Sequence, residues 1–550
     1  MGGFVLALVL IAIYLPALHG EFLWDDELLI LRNRLNLDPS GWWKIWFEPR
    51  YLIDYFPLSA EGEWIQWQFF HTNTFGYHLV NVVLQFVSAL LVWKLFARLH
   101  LRLAWLGALL FAVHPVTVES VAWMAELKNT LSLPLFLAAM LAWIAWDRDR
   151  RRIDYLRALV LFLAAMLAKP SAVMFPFVIL LYAWWRHGRV RAGDLAAAAP
   201  FFLVSLVLGL ITIRYMHPAY GLKTIELGGP LDRLAIAGTT LAFYTGNILW
   251  PVGLLPVYPK WTIDPPSAWL AWLALVTVLA VCWWGRKRWG RHALLGLGFF
   301  LLNLVPFLGF TPTAYMSFAW AMDHVLYLPM LGLIGLATAG LGALLNRAPA
   351  AARTWMLAGV VAVLAALAVG SRAYAAIFQT QEALWTYTLR GNPGLAAGHN
   401  NLALYYFDHR RNDEAMAEYR AAIHVKPDFD EAYNGLGNTF FYAHDINDAM
   451  EAYRAAIRLK PDSAEAHNGL ANALLAQGDL DGARAECERA LAVDANYTDA
   501  HCNLGLIAAR QGHFDAAISE FEQAHKINPL DGRIPPIIDQ LRAQAAAAAH

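Results

Sequence analysis

Eleven apolar runs fill the first two-thirds of this 550-residue chain, and they restrict it to folds that sit inside a membrane. A helix needs roughly 20 apolar residues to cross a bilayer core. Runs near 3–19, 77–96, 101–114, 130–146, 154–168, 172–185, 194–213, 267–284, 293–310, 325–345 and 354–372 approach or meet that length. Hydrophobic residues make up 58% of the chain and charged residues 15%, against about 25% charged in a soluble domain. The average hides a break: 1–372 are rich in Leu, Ala, Val, Phe and Trp, whereas 380–545 have the mixed polarity of a soluble helical protein. The first run lacks a basic leader and an Ala-x-Ala site, so it reads as an uncleaved span.

Charge placement orients the spans. Arginine clusters at 98/102, 148–152, 186–191, 286–291 and 347/353 belong on the cytoplasmic side by the positive-inside rule. With a cytoplasmic N-terminus, the count closes only if the apolar stretch 234–257 does not cross. Gly238, Gly246, Asn247, Pro251, Gly253 and Pro256 interrupt it, so it is expected to lie in the outer interface or to re-enter. Eleven spans then place the C-terminal half on the non-cytoplasmic side, with a bacterial inner membrane as the expected location. Four segments face the same side: 20–75, 114–129, 214–233 with the stretch that follows, and 311–324. Within the first, 63–71 has the pattern of a helix lying on the membrane surface.

The C-terminal half repeats every 34 residues. Pro427, Pro461 and Pro529 share one position, with Ala495 in the remaining slot. Leu402, Leu436, Leu470 and Leu504 share another, and Ala415, Ala449, Ala483 and Ala517 a third. Ala422, Ala456, Ala490 and Ala524 follow, then Tyr419, Tyr453, Cys487 and Phe521. Small residues where paired helices approach, large ones between repeats and a closing proline make this a tetratricopeptide array. Asn400, Asn434 and Asn468 share a position that can face the concave groove and bind the backbone of an acceptor peptide; a solvated polar face is the alternative.

A net charge of −1 excludes a nucleic-acid partner. Cys282, Cys487 and Cys502 have no metal-type spacing. Candidate chemistry gathers on the outer segments. Asp25 and Asp26 follow the first span, where adjacent carboxylates suit a base of raised pKa or a divalent cation site; a solvated helix end is the plainer alternative. His114 and Glu119, with Glu126 and Lys128 nearby, suit metal or phosphate, with capping and ion pairing as the alternative. Lys169 and Arg214 could neutralise a lipid phosphate, although a lysine at a helix end can also simply snorkel. Asp323 and His324 precede the span at 325–345.

Five blocks occur in order: Phe22-Leu23-Trp24-Asp25-Asp26, Phe75-Gly76-Tyr77-His78-Leu79-Val80-Asn81, His114-Pro115-Val116-Thr117-Val118-Glu119-Ser120-Val121-Ala122-Trp123, Leu249-Trp250-Pro251 through Pro256-Val257-Tyr258-Pro259, and Tyr327-Leu328-Pro329. With the repeats, this order resembles the transmembrane and tetratricopeptide-repeat-containing O-mannosyltransferases and their bacterial relatives, of the GT-C glycosyltransferase class. The resemblance implies inverting transfer of a sugar, mannose or a similar hexose, from a polyprenyl-phosphate carrier to protein Ser/Thr on the non-cytoplasmic face. It implies Asp25 or Asp26 as base and Glu119 as an orienting residue. It leaves room for a divalent cation, Mg or Mn, at Asp26 and Glu119; His114, Lys128, Lys169, Arg214, Asp323 and His324 are the candidates toward the phosphate, Lys169 and Arg214 by their chemistry more than by the motif. Two departures bear on this. Relatives commonly read Glu-Arg-Lys-Asp where this chain has Glu126-Leu127-Lys128-Asn129, and Asp-Arg-Tyr where it has Asp323-His324-Val325.

The expected architecture is all-α. A polytopic core occupies 1–372, a linker or helix 373–392, four repeats 393–534 and an Ala-rich tail 535–550. The competing reading is a non-catalytic membrane scaffold whose repeats organise an envelope complex. A transporter would place ionisable residues mid-span, a pattern not found here.

Overall fold

The computed structural model describes residues 1–48, 52, 54–219, 225, 227–529 and 531–548. It is helical, with no strand among the described residues. The chain divides into two units, Met1–Asn392 and Pro393–His550. Helices dominate the first unit because a bilayer offers no partner for an exposed backbone N–H or C=O.

Seven helices of the first unit are long and apolar enough to span a bilayer: Thr74–Arg98, Met124–Asp149, Ala192–Tyr215, Pro265–Lys287, Gly290–Phe307, Met330–Arg347 and Ala350–Ala376. An eighth candidate is broken. Ala104–Val113 and Pro115–Ala122 meet at an angle of 60°, so the run read as a span over 101–114 is a ten-residue helix that turns. Pro115 causes the turn, because its ring lacks an N–H and disfavours helical backbone at His114. The first run forms a 13-residue helix, Gly2–Tyr14. This is a multi-pass membrane protein.

Two other segments are helical. The stretch 234–257 is helical through most of its length, as part of Pro230–Leu249, and breaks only at Trp250-Pro251. Its Gly238 lets a neighbouring helix approach, since a Cβ there would sit 2.6 Å from the Ala268 carbonyl oxygen. Residues 373–392, expected as a linker or helix, are mostly helical. They finish the helix Ala350–Ala376, add Gln381–Gly391 and bury Trp385 inside the first unit.

The second unit is four helix pairs: Ala396–Asp408 with Asn412–Val425, Asp430–Tyr442 with Ile446–Leu459, Ala464–Gln477 with Leu480–Val493, and Thr498–Arg510 with Phe514–Ile527. Ala415, Ala449, Ala483 and Ala517 are fully buried where paired helices meet. Tyr453 fills the gap to the next repeat, and a Cβ on Gly469 would lie 2.4 Å from its ring. Replacing Gly469 with valine is therefore expected to destabilise the array by about 1–3 kcal/mol through overpacking, read as a lower melting temperature. The Ala-rich tail belongs to the helix Ile534–Ala548. Its Ile534, Ile538 and Leu541 fall on one face at helical spacing and bury against Phe521 and its neighbours, closing the apolar end of the array.

One polar motif recurs with the repeats. His399, His467 and His501 each place Nδ1 against a glutamate 19 residues on: Glu418 at 2.6 Å, Glu486 at 2.6 Å and Glu520 at 2.7 Å. Each Nε2 lies 3.0–3.3 Å from the carbonyl oxygen six residues back. An imidazole facing an acceptor on both sides donates from both nitrogens only when protonated. The Glu418 contact accordingly raises the pKa of His399. A raised folded-state pKa stabilises fully below the unfolded value of about 6.5 and is lost as pH rises through the folded value. Repeat unfolding followed by circular dichroism should therefore shift to lower temperature as pH rises from about 6 to 8, and His399→Gln should flatten that dependence.

Candidate active site

Several segments, distant in sequence, converge around Glu126. The segment after the first helix reaches Trp24 in left-handed backbone, φ 46°, a conformation that costs a bulky residue about 1–3 kcal/mol. Aromatic packing holds it there. The Trp24 ring stacks on Trp123 with centroids 5.2 Å apart and meets Trp385 edge-on at 5.0 Å. Trp123 itself is fixed by Asn81, whose side-chain amide donates to its carbonyl at 3.2 Å.

The two aspartates that follow have different surroundings. Asp26 is fully buried. Its Oδ2 accepts from the Leu23 backbone N–H at 2.9 Å and its Oδ1 from that of Ala125 at 2.7 Å. This clasp ties the first outer segment to the second and engages both carboxylate oxygens, so the expectation that Asp26 acts as base or metal ligand gives way to a structural role. Asp25 is half-buried and carries no such clasp. Burial raises its pKa, Lys128 and His324 oppose that rise, and Glu126 and Asp54 add to it.

Glu126 ends a short 3-10 turn and begins the helix Leu127–Asp149, an end that favours negative charge. It is 1% exposed, and two ammonium groups meet it: Lys128 Nζ at 3.2 Å and Lys169 Nζ at 3.6 Å. Lys169 arrives from the end of helix Arg152–Ala168, where Pro170 stops that helix. Asn129 bridges the group. Its amide donates to Glu126 and to the His324 carbonyl, and its Oδ1 accepts from Lys169 Nζ at 2.8 Å. An aspartate there could not donate to Glu126, so the departure from the related motif serves a definite contact. Two lysines thus meet Glu126, and Lys128 also feels the charges of Asp25 and Asp54.

Glu119 Oε1 lies 2.7 Å from His324 Nδ1. Its Oε2 is buried with no hydrogen-bond partner. Asp323 is buried and accepts from the Tyr258 hydroxyl at 2.8 Å and the Asn247 amide at 2.9 Å. Burial and the nearby Glu119 push its pKa up to about 8. Asp323 thus anchors the fold here, and the expected phosphate role does not suit it. His114 is a cap: its Nδ1 accepts from the Val116 N–H at 3.3 Å and its Nε2 faces the Ile248 carbonyl at 2.9 Å. With both nitrogens engaged, it does not clamp metal or phosphate as expected. Arg214 is exposed on the helix Ala192–Ala219 and is not brought into the group.

Among the described residues no group of three or more His, Cys, Asp or Glu side chains gathers as a cation site. Glu119 Oε2 is the one oxygen on Asp26 and Glu119 without a hydrogen-bond partner.

Beside Lys128 opens a cavity of about 240 Å³, lined by Arg32, Arg34, Asp54, Glu63 and Ala125 among others. Sequence reasoning missed Glu63. It read 63–71 as a surface helix, and in the helix Pro57–Phe70 it is the polar stripe Ser59, Glu63 and Gln66 that turns inward while Ile65 and Phe69 stay exposed. Burial pushes the pKa of Glu63 up to about 8, against the pull of Lys128. The spacing 59, 63, 66 was the available signal.

In the repeats, Asn468 is buried and its Oδ1 accepts from Asn503 Nδ2 at 2.8 Å. Asn434 Oδ1 is buried without a partner, and Asn400 is half-buried.

Comparison with known proteins matches both parts. Residues 62–215 match the family model described as dolichyl-phosphate-mannose-protein mannosyltransferase, a range that includes Glu63, Glu126, Lys128 and Lys169. Residues 403–443, 434–500 and 498–531 match tetratricopeptide-repeat models. Human protein O-mannosyl-transferase TMTC1 is 25% identical over 75% of this chain and 54% of its own length. Mouse TMTC3 is 33% identical over 24% of this chain and 16% of its own length. Among solved structures, crystalline MamA is 21% identical over 28% of this chain and 89% of its own, with a TM-score of 0.25. The chain spans from 16% to 55% of the length of the curated relatives it matches. The chain is thus similar to a mannosyltransferase family model in its membrane unit, to tetratricopeptide-repeat models in its repeats, and to protein O-mannosyl-transferases of the TMTC type over up to 76% of its length.

Proposed function

We propose that this chain moves mannose or a similar hexose from a polyprenyl-phosphate carrier to a serine or threonine of an acceptor protein. The observation that carries the reading is the group built on Glu126, which Lys128 and Lys169 both meet, with a half-buried Asp25 near enough to Lys128 to feel its charge. A hydroxyl is a weak nucleophile at neutral pH. Asp25 takes its proton as the oxygen attacks the anomeric carbon from the face opposite the carrier, which gives inversion. The bond from that carbon to the phosphate oxygen breaks, and the polyprenyl phosphate leaves with the electron pair. Positive charge positioned in advance lowers the barrier to such a departure. Lys128 and Lys169 supply it, and Arg32 and Arg34 line the adjoining cavity.

Orientation follows from charge. With the arginine clusters cytoplasmic, Asp25, Lys128 and the repeats share the non-cytoplasmic side, and the helix Pro230–Leu249 stays on that side. A bacterial inner membrane is the proposed location. The repeats bind the acceptor and raise its concentration near the site, with Asn400 and Asn434 as the groove contacts and Asn468 held in place by Asn503.

Cysteine labelling from each side of sealed vesicles tests the orientation. Single cysteines beside Asp25 and within the repeats should both react from the non-cytoplasmic side. Reaction from opposite sides would separate acceptor capture from chemistry and defeat the proposal. Lys169→Gln should reduce kcat by about 100- to 1,000-fold with a smaller effect on acceptor KM, measured with a lipid-linked sugar and a peptide acceptor.

A further inference from the structure

A second cavity, of about 770 Å³, lies in the first unit and takes no part in the proposed transfer. Helix Thr74–Arg98 starts near the acid group, where its Asn81 accepts from Thr130 at 2.7 Å, and meets this cavity only in its last turn, at Leu95 and Phe96. Helix Met330–Arg347 lines it from Leu331 to Asn346, a stretch of roughly 22 Å at 1.5 Å per residue. The cavity is therefore long, and its mouth lies where the arginine clusters lie. Arg102, Arg186 and Arg291 surround that mouth with His100 and His292, and no aspartate or glutamate lines the cavity. Deeper in, the wall is apolar, with Phe96, Met140 and Phe299. The space exists because glycine replaces bulk on one side. A Cβ on Gly335 would meet only the Phe96 ring, at 3.6 Å, and one on Gly340 would meet nothing within 4 Å.

We propose that this cavity holds a hydrocarbon chain of an anionic phospholipid, with the phosphate head group between Arg186 and Arg291. An apolar trough inside a bilayer fills with lipid chains, and a ring of cations without a lining acid selects a negative head group over a zwitterionic one. Basic pockets between membrane helices on the cytoplasmic side bind anionic head groups by the same balance. The inference does not depend on the transferase reading, because it uses none of the residues assigned to it.

Native mass spectrometry of the full chain in detergent, titrated with phosphatidylglycerol or phosphatidylcholine of identical chains, tests the proposal. Phosphatidylglycerol should bind about tenfold more tightly. The double variant Arg186→Gln/Arg291→Gln, altered at the cavity mouth, should bring it down to the level of phosphatidylcholine. Gly335→Leu should fill the trough and weaken both lipids. Equal affinity for the two lipids in the wild type, or an undiminished preference in the double arginine variant, would overturn the proposal. Undiminished lipid binding by Gly335→Leu, or displacement of bound lipid by millimolar inorganic phosphate, would overturn the placement of the chain in the trough.

Discussion

The Asp25→Asn variant is expected to reach the membrane at wild-type levels and to lose sugar transfer by about 100- to 10,000-fold, the usual contribution of a positioned general base. Asparagine has nearly the same shape, and Asp25 holds no backbone clasp that the change would break. The loss should fall on kcat, because the carboxylate acts when the proton leaves the acceptor hydroxyl. Asp26→Asn should behave in the opposite way. Its single amide oxygen cannot accept from both Leu23 and Ala125, whose N–H groups meet separate oxygens at 2.9 and 2.7 Å. Leaving one buried N–H against an NH₂ group costs about 1–3 kcal/mol. That variant should melt at lower temperature, and the fraction that remains folded should keep much of its activity. The pH profile separates the two further. A base must be deprotonated to act, and burial raises the pKa of Asp25. Activity should therefore fall on the acid side at a pH above the ordinary aspartate value of about 3.9.

Glu126→Gln is expected to have the largest effect on folding. The carboxylate is 1% exposed and faces Lys128 at 3.2 Å and Lys169 at 3.6 Å. Removing its charge leaves Lys169 without its ion-pair partner and leaves Lys128 with only the nearby charges of Asp25 and Asp54. Breaking a buried pair in this way costs about 3–5 kcal/mol, and here one substitution breaks two pairs. Thermal unfolding in detergent, followed by tryptophan fluorescence, should show a lower transition and reduced yield. Glu126→Gln combined with Lys169→Gln should recover part of the lost stability, since it removes one uncompensated cation. A double variant no more stable than Glu126→Gln alone would show that Glu126 does not act through Lys169.

The parts of this molecule that were legible in its sequence are those governed by a period or a length. The 34-residue register placed Ala415, Ala449, Ala483 and Ala517 at one position, and all four are fully buried. Apolar length picks out all seven helices suited to a bilayer, but also four runs, near 3–19, 101–114, 154–168 and 172–185, whose helices are shorter, and it does not show the turn at His114, which depends on a single proline. Composition reads 535–550 as an Ala-rich tail, and its alanines hide the buried face that Ile538 and Leu541 make with Ile534. At the candidate site, residue type and position name Asp25, Lys128 and Lys169 as candidates. They were not enough to separate Asp25 from Asp26, because that distinction lies in which backbone N–H each carboxylate meets. For the same reason His114 resembled a ligand when it is a cap. Glu63 and Asn129 were missed because their importance comes from the face a helix turns inward and from a bridge between two side chains over 40 residues apart in sequence.

The central claim is that this chain discharges a lipid-linked sugar onto a protein hydroxyl at Asp25. The most direct measurement reconstitutes the purified full chain in liposomes with polyprenyl-phosphate [³H]mannose and a Ser/Thr-containing acceptor. The account predicts labelled acceptor that releases mannose on β-elimination, and its disappearance in Asp25→Asn. Label transferred equally well by Asp25→Asn, or no label from a folded wild-type chain supplied with donor and acceptor, would contradict it.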